Sequence, residues 1–144
     1  MLDSLNKRVN FLNTMVEKLN LKNAMAVHSR AEDYALKNRE KFDVAIARAV
    51  ANLTTLSEYC LPFVKVGGTF IAMKGGLAEE EINNAKVAIK LLGGKIESVE
   101  EYSLEENSRT IIVIKKIENT PLKYPRGKNL PKTKPLGDKW KLNV

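Results

Sequence analysis

The chain has 144 residues, 44% of them hydrophobic and 28% charged, with a formal net charge of +7, which suits one soluble globular domain able to bury its own core. Its single cysteine, Cys60, excludes an internal disulfide and a cysteine metal cluster, and no apolar run is long enough to span a membrane. The opening Met1-Leu2-Asp3-Ser4 places an acid where a signal peptide needs basic residues, so a cytoplasmic protein is expected. The basic balance points to an anionic partner, most commonly nucleic acid, although a basic enzyme without such a partner carries the same charge.

Leu5, Val9, Leu12, Met15, Val16 and Leu19 fall at helical spacing and predict a helix over about residues 4–20, with Asp3 or Ser4 as its cap. Ala24 to His28 reads as a short strand, followed by a short helix from Ala31 to about Arg39. Asp43-Val44-Ala45-Ile46-Ala47 is a short apolar run that reads as a buried strand. Leu53, Leu56, Tyr59, Cys60 and Phe63 predict an amphipathic helix, with Pro62 bending its end. Gly67-Gly68 marks a turn before a strand over Thr69 to Met73. A helix is expected from about Ala78 to Leu92, stopping at Gly93-Gly94 in a left-handed cap. Lys95 to Leu104 and Arg109 to Ile117 read as a β-hairpin around Glu105-Glu106-Asn107-Ser108.

The alternation of helix and strand predicts an α/β fold with a mostly parallel sheet, and the closing hairpin adds an antiparallel edge. Such a layout is that of Rossmann-like methyltransferases rather than of nicotinamide dehydrogenases. In open α/β sheets ligands lie beyond the carboxyl ends of the strands, and the glycine-rich turn after the first strand meets the cofactor. That turn is not found here: Gly67-Gly68 and Gly75-Gly76 come late. Met1-Leu2-Asp3 then reads as the end of a second strand. Asp3 is either a plain helix cap or the acid that binds the ribose hydroxyls of a nucleoside cofactor.

Asp3-Ser4-Leu5-Asn6-Lys7-Arg8, Arg30-Ala31-Glu32-Asp33, Arg48-Ala49-Val50-Ala51, Leu61-Pro62-Phe63-Val64-Lys65-Val66-Gly67-Gly68, Met73-Lys74-Gly75 and Thr120-Pro121-Leu122-Lys123-Tyr124-Pro125-Arg126 follow one another in order. Together they resemble the bacterial 16S ribosomal RNA guanine-N7 methyltransferase family, also called glucose-inhibited division protein B, from Leu2 to about Leu136. The resemblance implies a Rossmann-like class I methyltransferase fold with S-adenosyl-L-methionine as cofactor. It also implies 16S ribosomal RNA, free or in the small ribosomal subunit, as partner. It matches Asp3 and Ser4 to the ribose-side turn after the second strand, and Ala31 and Glu32 to the pair beside the adenine. Arg48 matches a residue after the fourth strand, near the methyl donor and the incoming guanine. Without the resemblance, Glu32 and Asp33 would simply suit a helix amino terminus and Arg48 a salt bridge.

The implied chemistry asks little of side chains. Guanine N7 has a lone pair and no proton, so attack on a sulfonium methyl needs alignment and exclusion of water rather than a base or a metal. No catalytic acid or base and no metal ligand is therefore expected. His28, the single histidine, lies before the expected site turn and reads as structural or partly exposed, and Cys60 as a core residue.

Residues 1–117 are read as a partial methyltransferase domain and residues 118–144 as a basic, proline-rich tail. In that tail Lys123, Arg126 and Lys128 are interleaved with prolines and suit RNA phosphates, and Tyr124 suits stacking on a base. A solvated, flexible terminus fits the same composition. Because the first strand and the glycine-rich loop are expected to be missing, the chain alone should bind S-adenosyl-L-methionine weakly or not at all. A non-catalytic RNA-binding remnant and an inactive fragment are the alternatives.

Overall fold

The computed structural model describes residues 1–48, 51–76 and 79–137. The chain divides into two compact units, Met1–Lys37 and Asn38–Val144.

In the first unit β1 (Leu2–Asp3) leads into α1 (Asn6–Lys18), and β2 (Val27–His28) leads into α2 (Ala31–Ala35). The strands run parallel, with Leu2 opposite Val27 and Asp3 opposite His28. The expected end of a strand at Asp3 is therefore present. Asp3 Oδ1 accepts the Leu5 N–H at 2.8 Å, but Leu5 itself stands at the helix N-cap. Asp3 thus closes the strand-to-helix turn and does not cap the helix. The strand expected over Ala24 to His28 is shorter because the Ala26 N–H donates to Asn13 Oδ1 at 3.1 Å instead of to a strand. Helix α2 ends earlier than expected. The Leu36 and Lys37 N–H groups donate only three residues back, to Asp33 and Tyr34, a tightening usual at helix ends.

The second unit is built on a mixed sheet of β3 (Phe42–Arg48), β4 (Val64–Lys74), β5 (Gly94–Leu104) and β6 (Asn107–Lys116), in the spatial order β3-β4-β6-β5. Strands β3 and β4 are parallel, while β6 is antiparallel to both β4 and β5. The parallel core with an antiparallel hairpin is as expected. Helices α3 (Leu53–Cys60) and α4 (Glu79–Leu91) supply Leu53, Leu56, Ala85, Ala88 and Ile89 to a core shared with Phe70, Ala72, Ile112 and Ile114. On β3, Ala45 and Ala47 pack against this core, whereas Val44 and Ile46 on the opposite face are 49% and 64% exposed.

In the second unit the structure departs from the sequence pattern at Gly67-Gly68 and along α3. Gly67-Gly68 does not make a turn ahead of the strand but lies inside β4, where the register with β3 slips between Phe42 and Val44. Gly67 takes a positive φ of 86°, and a Cβ on Gly68 would stand 2.5 Å from the Asp43 carbonyl oxygen. The pair therefore forms a bulge that needs glycine twice over. Helix α3 is also not amphipathic in place. Thr54, Thr55, Ser57 and Glu58 are buried along with its apolar residues; residues 118–137 fold back and supply partners to Thr55 and Glu58, while Ser57 Oγ is buried without one. Pro62 does end the helix: Leu61–Phe63 is a single 3₁₀ turn. Gly93 takes φ 82° after α4, and Glu118 O leaves no room for a side chain there.

Candidate functional site

Each sequence-predicted cofactor residue lies at or just after the carboxyl end of a parallel strand. Asp3 ends β1, and Ala31 and Glu32 open α2 directly after β2. Arg48 ends β3. Their companions in that motif, Ala49 and Val50, lie outside the described residues, as does Ala78, the expected start of α4.

Within the first unit, Asp3 Oδ1 is engaged by the Leu5 N–H, and Oδ2 meets Arg8 at 3.5 Å. Arg8 is largely exposed, so that pair is weak, and Oδ2 keeps lone pairs for a hydroxyl. Ser4 is exposed, and its carbonyl faces His28 Nε2 at 3.1 Å. His28 thus ties down the turn after β1, the structural part expected of it. Glu32 is 7% exposed, with Arg30 Nε at 3.8 Å. A short helix with acids in its first turn accounts for its place in the chain. A carboxylate with so long an ion pair still has lone pairs for amine or hydroxyl donors.

Within the second unit, Arg48 is exposed and has no ion pair among the described residues. The salt-bridge reading of Arg48 is therefore not what the structure shows. Burial pushes the Cys60 thiol up to about 12, which makes it a poor nucleophile at neutral pH. Among the described residues no group of three His, Cys, Asp or Glu side chains comes together as metal ligands. A cavity of about 360 Å³ lined by Lys86, Ile89, Lys90 and Ile96 opens where β5 begins. By strand register that is the far end of the sheet from Arg48: Lys95 pairs Lys115, while Arg48 shares Met73 with Ile111.

The tail residues separate into two kinds. Lys123 and Lys128 are exposed. Tyr124 is 7% exposed and belongs to the core, with Lys123 Nζ 5.3 Å from its ring centroid. Arg126 donates from Nε and Nη2 to the two oxygens of the fully buried Glu58, at 2.8 and 2.7 Å, and its N–H adds a third bond at 2.9 Å. The hydrogen bonds that Arg126 donates to Glu58 hold its guanidinium more firmly protonated than usual. Arg39 grips the tail from the other side, donating to the carbonyls of Pro121 and Tyr124 at 2.8 and 2.6 Å. Thr55 Oγ1 donates to Pro131 O at 2.7 Å. The described tail is thus fastened down, not a loose terminus.

Sequence reasoning missed Glu40, Glu58, Lys74, Glu81 and Lys116. Glu58 looks like the polar face of an amphipathic helix, and Glu81 like one of three acids suiting a helix start. Lys74 lies within Met73-Lys74-Gly75, where the pattern is visible but the partner is not.

A family model described as GidB, rRNA small subunit methyltransferase G, matches residues 1–112. The ribosomal RNA small subunit methyltransferase G of Clostridium botulinum (strain ATCC 19397 / Type A) is 50% identical over 140 residues, which are 94% of this chain and 59% of that relative. Its counterpart from Acetivibrio thermocellus is 53% identical over 140 residues, 94% of this chain and 57% of the relative. The chain therefore spans less than two thirds of the length of the curated relatives it matches. Among solved structures, the antibiotic-resistance methyltransferase Kmr superposes with a TM-score of 0.65 at 11% identity, over 83% of this chain and 75% of that one. M. jannaschii TYW2 in complex with AdoMet gives 0.64 at 14% identity, over 81% and 57%. At such identities these likenesses show the methyltransferase fold alone. With the family model covering most of the chain and close relatives aligned along nearly all of it, this chain belongs to the GidB family, rRNA small subunit methyltransferase G.

Proposed function

We propose that the chain serves S-adenosyl-L-methionine-dependent methylation of a guanine N7 in 16S ribosomal RNA. The observation that carries this reading is that Asp3 and Glu32 in the first unit, and Arg48 in the second, each lie at or just after the carboxyl end of a strand that runs in a parallel pair, where open α/β folds take their ligands. In the proposed roles, Asp3 and Ser4 hold the ribose hydroxyls. Ala31 and Glu32 lie beside the adenine. When bound, S-adenosyl-L-methionine supplies an electrophilic methyl group on a sulfonium. Arg48, exposed and unmatched by an ion pair among the described residues, orients the guanine by hydrogen bonds to acceptors on its edge. It moves no proton, because N7 has none to lose. Lys123 and Lys128 meet RNA phosphates, with Tyr124 and Arg126 fixing the backbone that presents them. A ribosomal RNA substrate supports a cytoplasmic location for the protein.

The test is methyl transfer to 16S ribosomal RNA, read as N7-methylguanine by borohydride and aniline cleavage. It is run with and without the part of the Acetivibrio thermocellus relative that this chain does not match. N7-methylguanine is expected when that part is present, and little without it. Arg48→Ala should abolish it. No product in either arm contradicts the reading.

A further inference from the structure

The cavity where β5 begins has cations around an apolar floor. Lys86 and Lys90 of α4 and Lys95 of β5 stand about it, over Ile89, Ile96 and Ile117. All three lysines are exposed, and Ile117 is 48% exposed. From Ile82 to Ile96 the chain carries these three lysines and no acid. The acids next along the chain, Glu97 and Glu118, make no ion pair with them among the described residues. Lys86 bonds only Asn83, within its own helix, at 2.8 Å.

Two of these placements are unfavourable in themselves. Lys86 and Lys90 stand four residues apart on α4, where like charges repel. Lys95 is the register partner of Lys115 across β5 and β6, and like charges directly opposite destabilise a sheet. The helix dipole favours Lys90 in the last turn of α4, but it accounts for neither Lys86 nor the strand pair. An anion at the cavity relieves both repulsions, and the isoleucine floor asks that it carry an apolar body. A nucleotide of RNA has both parts: phosphates for lysines, and a base whose faces rest on apolar side chains.

We propose that this cleft is a second RNA-binding site. It takes one unstacked nucleotide, with the base against Ile96 and Ile117 and the flanking phosphates on Lys90 and Lys95. The cleft is separate from Arg48. Lys115 beside it and Ile111, which shares Met73 with Arg48, are four residues apart on β6, roughly 13 Å along the strand. It anchors RNA away from the guanine and takes no part in methyl transfer. The proposal rests on RNA being the substrate, as given under the proposed function.

The test is fluorescence anisotropy of a labelled single-stranded oligoribonucleotide with the chain, over a series of salt concentrations. K90A/K95A should bind about tenfold more weakly at low salt, and its salt slope should fall by about 1 to 1.5, as two lost phosphate contacts require. I117A should weaken binding with the slope unchanged. K18A/K22A, which removes the same charge from exposed lysines of the first unit, should change affinity by no more than about twofold, with the slope kept. K95A should melt no lower than the unmodified chain, because it relieves Lys115. If K90A/K95A behaves as K18A/K22A does, or K95A lowers the melting temperature, the cleft proposal is overturned. A loss in K123A/K128A would then show that the functional reading still stands. No RNA binding by the unmodified chain overturns both.

Discussion

Lys116 shows how single residues carry the second unit. It is fully buried, yet its ammonium donates to Glu40 Oε1 at 3.1 Å, Leu61 O at 2.8 Å and Val64 O at 2.9 Å. Burial lowers its pKa, and Glu40 opposes that. A buried cation with every proton matched is stable only while its partners stay. Lys116→Met should therefore cost about 3–5 kcal/mol in denaturant melts, the penalty for breaking a buried pair; no change would show that the network is dispensable. Glu40 makes the same point in pH. Burial raises its carboxyl pKa, but the Thr120 N–H, the Asn119 amide and Lys116 outweigh this, and the net shift is below its ordinary value of 4.5. The unfolded chain thus takes up a proton at higher pH than the folded one. The stability that Glu40 contributes is complete above 4.5 and is lost as pH falls through the lower folded value. Glu40→Gln should be less stable than the unmodified chain near neutral pH and flatter in its acid dependence; parallel acid curves would contradict this.

At the scale of elements, the periodic helices and the hairpin are legible in the sequence because their signals are local. Gly93 marks a helix end, and Pro62 bends one into a 3₁₀ turn. Gly67-Gly68 reads as a turn because a bulge and a turn ask for the same residue, and only the β3 partner distinguishes them. The bulge makes a prediction. A Cβ at Gly68 would meet Asp43 O at 2.5 Å and Val64 Cγ1 at 2.7 Å, and backbone cannot swing aside. Gly68→Ala should lower stability by about 1–3 kcal/mol, the usual cost of overpacking. A melting temperature equal to that of the unmodified chain would show that the bulge relaxes freely. Helix α3 misleads for a related reason. Its Thr55 and Glu58 find partners, Pro131 and Arg126, some seventy positions away, a separation that no local pattern records.

At the scale of the whole molecule, the fold class and the family are legible because several short motifs keep their order along nearly the full chain. The candidate site is legible as positions: Asp3, Ala31, Glu32 and Arg48 do fall at strand ends. The pairing of Lys74 with Glu81 is not legible, because the two are joined only by the path of the chain between β4 and α4. The tail illustrates the same limit. Its composition suits both RNA and solvent, while the structure buries Tyr124 and commits Arg126 to Glu58, so that of the four expected RNA-binding residues Lys123 and Lys128 are the exposed ones. The chain spans 57–59% of the length of close relatives, so modest affinity for the cofactor is expected from it alone. The most direct measurement is an NMR titration of the chain with S-adenosyl-L-methionine, with Glu32→Ala as control. Weak binding is expected, with shifts that centre on the amides of Ser4, Ala31 and Glu32 and vanish in the control. Shifts confined to other residues would contradict a cofactor site at these strand ends.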